Sequence, residues 1–215
     1  MYLTYNKLFL IMGKLFVISA PSGTGKTSLI QAILESPNLL NTKLGISCTT
    51  RKQRPKEENG VSYFFVSKEK FKEKIKSNDF LEYAEVFGNY YGTPQDWVLA
   101  TLSKGNNVLL ELDTQGALQV KEAFPDAKTV FIIPPSYEDL SKRLSLRAQD
   151  DKEEISKRLK EAKKEVHTGK DFDHIILNDK FEASLKDLED FIHSNEGLSG
   201  KRAEITKITL DQLLD

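Results

Sequence analysis

The stretch "FVISAPSGTGKTSLIQAIL", Phe16 to Leu34, decides how this chain is to be read. Phe16, Val17 and Ile18 read as a buried strand, Pro21 to Gly25 as a turn, and Lys26 to Glu35 as a helix stopped by Pro37. Strand, glycine turn and helix in that order are the setting of a phosphate-binding loop, whose pattern is G-x-x-x-x-G-K-[ST]. The chemistry requires successive backbone N–H groups and a helix N-terminus to converge on phosphate oxygens, and glycines allow the backbone conformations and close approach this needs. Gly23 and Gly25 stand where that crowding is expected, Lys26 would reach the β and γ phosphates, and the Thr27 hydroxyl would ligate Mg²⁺. Ala20 replaces the first glycine; at a strand exit the backbone can keep a negative φ, so a methyl group fits there. The competing reading is a glycine turn that caps a helix, with Lys26 on a solvated face.

Working outward, short apolar runs recur at Leu15–Ser19, Leu44–Cys48, Val108–Leu112, Thr129–Ile133 and His174–Leu177. Their continuity, rather than alternation, predicts strands covered on both faces, hence an α/β fold with a parallel sheet. Helices are predicted at Lys26–Glu35, at Trp97–Lys104 before Gly105, from Asp150 or Asp151 along the stripe Ile155, Leu159, Ala162 and Val166, and around Phe181, Leu185, Leu188 and Ile192. Two segments interrupt the alternation. Residues from Thr49 to Thr93 are rich in Arg, Tyr, Phe and Gly and read as an insert, and those around Leu140 to Lys164 are dense in charge and read as a mobile flap. The tail from Ser194 holds a terminal helix with no assigned task.

Composition narrows the class. The 215 residues are 39% hydrophobic and 29% charged, carry a formal net charge of −1, and contain no apolar run near the roughly 20 residues that cross a bilayer. A soluble protein is expected, with no membrane partner and no broad nucleic-acid face. The one cysteine, Cys48, fits a reducing cytoplasm. In "MYLTYNKLFLIMGKLFV", Lys7 interrupts the apolar start and no cleavage site follows, so residues 1–11 read as a short extension or an upstream start. His167, His174 and His193 lack ligand spacing and are expected to be structural or surface residues.

A second signal is "NVLLELDTQGA", where a buried strand ends in Glu111 and Asp113, carboxylates at the strand end where open α/β folds bind ligands. The insert then supplies "SCTTRKQRPKEENGVSYFF" and "FLEYAEVFGNYYGTP". Arg51, Arg54, Tyr63 and Tyr91 are forks and phenols suited to a phosphate. Read one by one, the arginines are equally surface charges and the tyrosines equally core residues.

With "SAPSGTGKTSL", "TTRKQRP", "NGVSYFFV", "FLEYAEVFGNYYGTP", "LELDTQGA", "IIPPS", "RLSLRAQD", "KRL" and "ILND" in that order, the chain resembles guanylate kinase from Gly13 to about His193. The resemblance implies a P-loop kinase three-layer core (about 13–48, 94–138 and 168–193), a nucleoside-monophosphate-binding insert (about 49–93) and a helical lid (about 139–167). It implies ATP-dependent phosphorylation of GMP, and of dGMP, in purine metabolism, assisted by Mg²⁺. Bacterial members commonly carry alanine at the Ala20 position. Carried over, Ala20, Pro21, Ser22, Gly23, Thr24, Gly25, Lys26, Thr27 and Ser28 bind ATP, and Asn178 meets the adenosine. Arg51, Arg54, Tyr63 and Tyr91 become ligands of the GMP phosphate, and Ser47, Glu82, Thr93 and Asp113 become readers of guanine. Lys26, Arg51, Arg143, Arg147 and Arg158 are the catalytic cations; Glu111 and Asp113 are expected to reach the magnesium through water. The usual Arg-Gly of the lid is here Arg147-Ala148, which trades backbone freedom for order. The competing reading of Glu82 is a solvated acid on a short helix. Two other functions stay open: a non-catalytic module that holds phosphorylated peptides in the arginine and tyrosine pocket, and a kinase for another nucleoside monophosphate. A homo-oligomer is left open as well.

Overall fold

The computed structural model describes residues 13–86, 88–146, 152–194 and 196–215. Two compact units divide them, one comprising the described residues up to Val17 with Asn41–Ala127, the other Ile18–Leu40 with Lys128–Asp215. The principal sheet has five strands in the order β2-β7-β1-β8-β9. These are β1 (Leu15–Ser19), β2 (Thr42–Leu44), β7 (Asn107–Glu111), β8 (Lys128–Ile133) and β9 (His174–Leu177). The fold is α/β with a parallel five-stranded sheet, as the continuous apolar runs require.

In the first unit β2 runs parallel to β7, with Thr42 opposite Asn107 and Leu44 opposite Leu109. A second sheet, in the order β4-β3-β6-β5, is built from β3 (Cys48–Thr49), β4 (Phe64–Phe65), β5 (Phe80–Val86) and β6 (Asn89–Pro94). The single strand expected over Leu44–Cys48 is therefore two strands in two sheets. The cause lies at Gly45, whose N–H still bonds the Leu109 carbonyl at 2.9 Å and where a Cβ would come within 2.4 Å of Leu110. The chain leaves the first sheet there, and Cys48 pairs with Gly92 in the second.

Helix α2 (Lys68–Lys76) covers the second sheet. The Ser67 side chain accepts its Lys70 N–H, and Glu69 near its start and Lys74 and Lys76 near its end suit the helix dipole. Its Phe71 stacks on Phe80 at 4.5 Å and on Tyr90 at 5.4 Å. Cys48 joins this cluster, which settles it as a buried thiol. Helices α3 (Gln95–Ser103) and α4 (Thr114–Ala123) complete the unit. Helix α3 starts two residues before its predicted Trp97, and Gly105, at φ 78°, ends it as expected.

The second unit pairs β8 with β9 in parallel, Val130 opposite His174 and Ile133 opposite Leu177. Around them lie α1 (Lys26–Glu35), α5 (Tyr137–Leu146), α6 (Lys152–Gly169), α7 (Phe181–Ser194) and α8 (Gly200–Leu214). Helix α1 has its predicted bounds, and α6 carries its predicted stripe while its expected start at Asp150 or Asp151 lies outside the described residues. Helix α7 buries Leu188 and Ile192 and half-buries Leu185 but leaves Phe181 exposed. Leu140 and Leu144 of α5 and Ala162 of α6 form one buried cluster, with Ile155 and Leu159 packed on it. Among the described residues no helix is long and apolar enough to cross a membrane.

Candidate functional site

Each unit holds part of the predicted set. In the first, β5 and β6 form an antiparallel ladder that places Glu82 opposite Thr93 and Ala84 opposite Tyr91. Glu82 lies on a strand with only 4% of its surface exposed, so it is not a solvated helical acid. Thr93 Oγ1 donates to Glu82 Oε1 at 2.6 Å and lies 3.1 Å from Ser47 Oγ. Three of the four predicted guanine readers are thus one buried hydrogen-bonded chain.

The fourth, Asp113, is the N-cap of α4 and accepts the Gly116 N–H at 2.8 Å. Gly116 was not anticipated as part of the site. A Cβ on it would stand 2.8 Å from Glu82 Oε2 and 3.4 Å from Asp113 Oδ1, so a larger residue would displace the carboxylate. The "DTQG" spacing, in which a cap residue precedes a glycine by three, was the signal for it. Burial pushes Glu82 up to about 7, opposed by the Thr93 hydrogen bond and reinforced by the Asp113 charge.

The predicted phosphate ligands lie in the same unit. Arg51 Nη2 and Nη1 bond the two Glu57 oxygens at 2.7 and 3.1 Å, a bidentate pair. Glu57 also accepts the Arg54 N–H at 2.8 Å. Glu57 is the second residue that sequence reasoning missed; an acid six residues after Arg51 in a basic loop was its only sign. The Arg51 guanidinium stands 5.5 Å from the Tyr63 ring centre, and the Tyr63 and Tyr91 rings meet edge to face at 5.9 Å. Burial, followed by the Glu111 charge, pushes the Tyr63 phenol up to about 12, so it stays protonated and can donate a hydrogen bond at neutral pH. Glu111 is half-buried at the end of β7, and the Arg54 residue is exposed.

The second unit takes up the chain at Ile18, near the end of β1, which leads through a turn, closed by Thr24 N–H to Pro21 O at 3.1 Å, into α1. Gly23 and Gly25 hold φ of 90° and 101°, a region that favours glycine. A Cβ on Gly25 would lie 2.6 Å from Asn178 Nδ2, and one on Gly23 2.8 Å from Leu144. Ala20 is buried, and Asn78 is the one described non-glycine residue at positive φ, so Ala20 takes ordinary backbone conformation as expected. Pro21 is buried, Ser22 exposed, Lys26 half-buried as the first residue of α1, and Thr27 and Ser28 exposed beside it.

Three predicted residues bond to this loop. Asn178, expected at the adenosine, is 6% exposed and donates its amide to the Thr24 carbonyl at 2.6 Å. Arg143 donates to the same carbonyl and to Asn178 O, both at 3.0 Å. Arg158 of α6 reaches Ser22 Oγ at 3.4 Å and Glu154 at 3.6 Å. Arg147 and Ala148 lie outside the described residues. Among the described residues no group of three or more His, Cys, Asp or Glu could cage a metal ion. His174, buried and stacked on Phe191 at 4.3 Å, is structural.

A family model described as guanylate kinase matches residues 12–195. The guanylate kinase of Vibrio parahaemolyticus is 48% identical over 202 residues, covering 94% of this chain and 98% of the relative. That of Hahella chejuensis is 50% identical over 177 residues, covering 82% and 84%. The crystal structure of guanylate kinase from Anaplasma phagocytophilum is similar with a TM-score of 0.72 at 29% identity, over 89% of each chain. With the buried Glu82 chain and the glycine loop already in place, these matches show that the chain belongs to the guanylate kinase family.

Proposed function

We propose that the protein transfers the γ-phosphoryl group of ATP to GMP, and to dGMP, giving the diphosphate. One observation supports this reading most: a carboxylate buried on a strand, hydrogen-bonded to Thr93 and through it to Ser47. Guanine presents N1–H and a 2-amino group side by side, which a carboxylate accepts together. Adenine offers an acceptor at N1 and no 2-amino group, so it would strand the Glu82 charge at a cost of about 1–3 kcal/mol or more. At about 1.4 kcal/mol per factor of ten, that separates the bases by roughly fivefold to a hundredfold or more. The Ser47 hydroxyl can donate to O6 while Thr93 keeps its bond to Glu82, and Asp113 completes the edge.

At the other end of the nucleotide, Arg51 offers a guanidinium already oriented by Glu57, with Tyr63 and Tyr91 as phenolic donors. A phosphate monoester has its second pKa near 6, so GMP is mostly a dianion at pH 7 and its oxygen needs no protein base. What remains to be supplied is charge and alignment. Lys26 and the loop amides would hold the ATP phosphates, with Arg147 and Arg158 gathering around the transferring group and Arg143 bracing the loop at the Thr24 carbonyl. The donor set fits a magnesium ion carried largely by the nucleotide: Thr27, an exposed residue in the first turn of α1, carries a hydroxyl, and Mg²⁺ characteristically keeps waters and phosphate ligands. Bound there, the ion would neutralise β and γ oxygens.

The test is an ADP-release assay with GMP, dGMP, AMP, UMP and thymidylate. GMP and dGMP should support release and the others should not. Folded protein that binds GMP without turnover would favour the binding-module reading, and turnover with another base would replace GMP as substrate.

A further inference from the structure

Helix α8 lies beyond the family-matched residues 12–195, and nothing in the nucleotide chemistry above assigns it a task. One side chain ties it to the rest of its unit. Arg202 donates Nε to Asp187 Oδ2 at 2.6 Å, Nη1 to Asp179 Oδ1 at 2.8 Å and Nη2 to the Leu177 carbonyl at 2.6 Å. Leu177 and Asp179 flank Asn178, whose amide supports the Thr24 carbonyl of the phosphate loop. The Asn178 carbonyl and the Thr24 carbonyl share Arg143. A chain of hydrogen bonds therefore runs from α8 through the Leu177–Asp179 turn to the loop.

The loop has little slack against this turn, because Asn178 Nδ2 fills the space a Cβ on Gly25 would occupy. A shift of the turn is thus a shift of the backbone N–H groups that meet phosphate, and small misplacements of such groups are costly. The planar guanidinium fork meets three acceptors in a preset geometry, whereas a lysine ammonium presents its three donors from one freely rotating nitrogen. Docking of the helix does not depend on Arg202 alone: the Tyr137 hydroxyl donates to Leu213 O at 2.9 Å, and Thr206, Thr209 and Leu213 are buried. Leu177 O also keeps a second donor, Ser184 Oγ at 2.8 Å.

We propose that Arg202 is a positioning residue for the ATP site, acting through the Leu177–Asp179 turn and Asn178 on the loop Ala20–Thr27. The inference rests on the reading of that loop as the ATP site. The test compares full-length Arg202→Ala and Arg202→Lys with Tyr137→Phe, which loosens α8 at its other end. ATP and GMP dissociation constants are measured by calorimetry, and amide hydrogen exchange is followed without ligand. Arg202→Ala should weaken ATP about tenfold, the effect of losing a hydrogen bond to a charged group, with GMP unchanged. Arg202→Lys should fall between, and Tyr137→Phe should bind ATP as the parent does. Exchange should quicken at residues 20–27 and 177–180 in both Arg202 variants. Unchanged loop exchange and unchanged ATP affinity in a folded variant would overturn the proposal, as would equal weakening by Tyr137→Phe. Should Arg202→Ala not fold, Arg202→Lys carries the test. Loop exchange is read without substrate, so a parent protein that failed to phosphorylate GMP would sink the functional reading alone.

Discussion

The pocket proposed for guanine and the loop proposed for phosphate solve opposite problems. The pocket is made of side chains that bond one another: Ser47 to Thr93, Thr93 to Glu82, and Arg51 to Glu57. The loop is made of backbone, and its neighbouring side chains, Asn178 and Arg143, hold a carbonyl in place rather than presenting themselves to a ligand. The difference teaches where selectivity can reside. Backbone amides answer to any phosphate, whereas a buried carboxylate answers only to a base edge with donors in the right places.

The comparison breaks most visibly at Lys26. Lys26→Ala should lower kcat on the order of 10³-fold, because it removes a charge needed as the phosphoryl group moves, while GMP binding by calorimetry stays intact. On the other side, Glu82→Gln should cut kcat/KM for GMP roughly 10²-fold by replacing one of two acceptor oxygens with a donor, with KM for ATP unmoved in steady-state assays. Gly116→Ala should raise KM for GMP about tenfold or more, since its Cβ would push on Glu82 Oε2 from 2.8 Å. Glu57→Gln should have the smallest effect, about threefold on KM for GMP, because it loosens the orientation of Arg51 without removing it.

A pH series sharpens the same contrast. Glu82 in the free protein titrates at about 7, and guanine needs its carboxylate form. Affinity for GMP should therefore rise as pH increases through about 7, and the Glu82→Gln variant should lose that component while keeping the change near pH 6 from the phosphate itself. Stability should run the other way: the folded protein holds a proton on Glu82 that the unfolded chain releases near 4.5, so this group's contribution declines between pH 4.5 and 7.

The phosphate loop was legible because its requirements are local: glycines, a lysine and a hydroxyl in one continuous run, between a strand and a helix whose bounds the structure reproduces. The arrangement of the pocket was not, because Glu82 and Thr93 come from two paired strands and Ser47 from the residue just before β3, and they meet only through that pairing. Glu57 and Gly116 escaped notice since neither has a function in isolation; one orients Arg51, the other leaves room for Glu82. The split at Gly45 was hidden for a related reason: a continuous apolar run says that residues are buried, not in which sheet. Asn178 and Arg143 were picked out as nucleotide contacts, but their observed partners are backbone carbonyls, which sequence motifs do not reveal.

The most direct test of the central claim is a crossed binding measurement by calorimetry on Glu82→Ala and Lys26→Ala, each titrated with GMP and with ATP. Glu82→Ala should lose GMP affinity and keep ATP, while Lys26→Ala should keep GMP affinity with kcat lower on the order of 10³-fold. Unchanged GMP affinity in folded Glu82→Ala protein would contradict it.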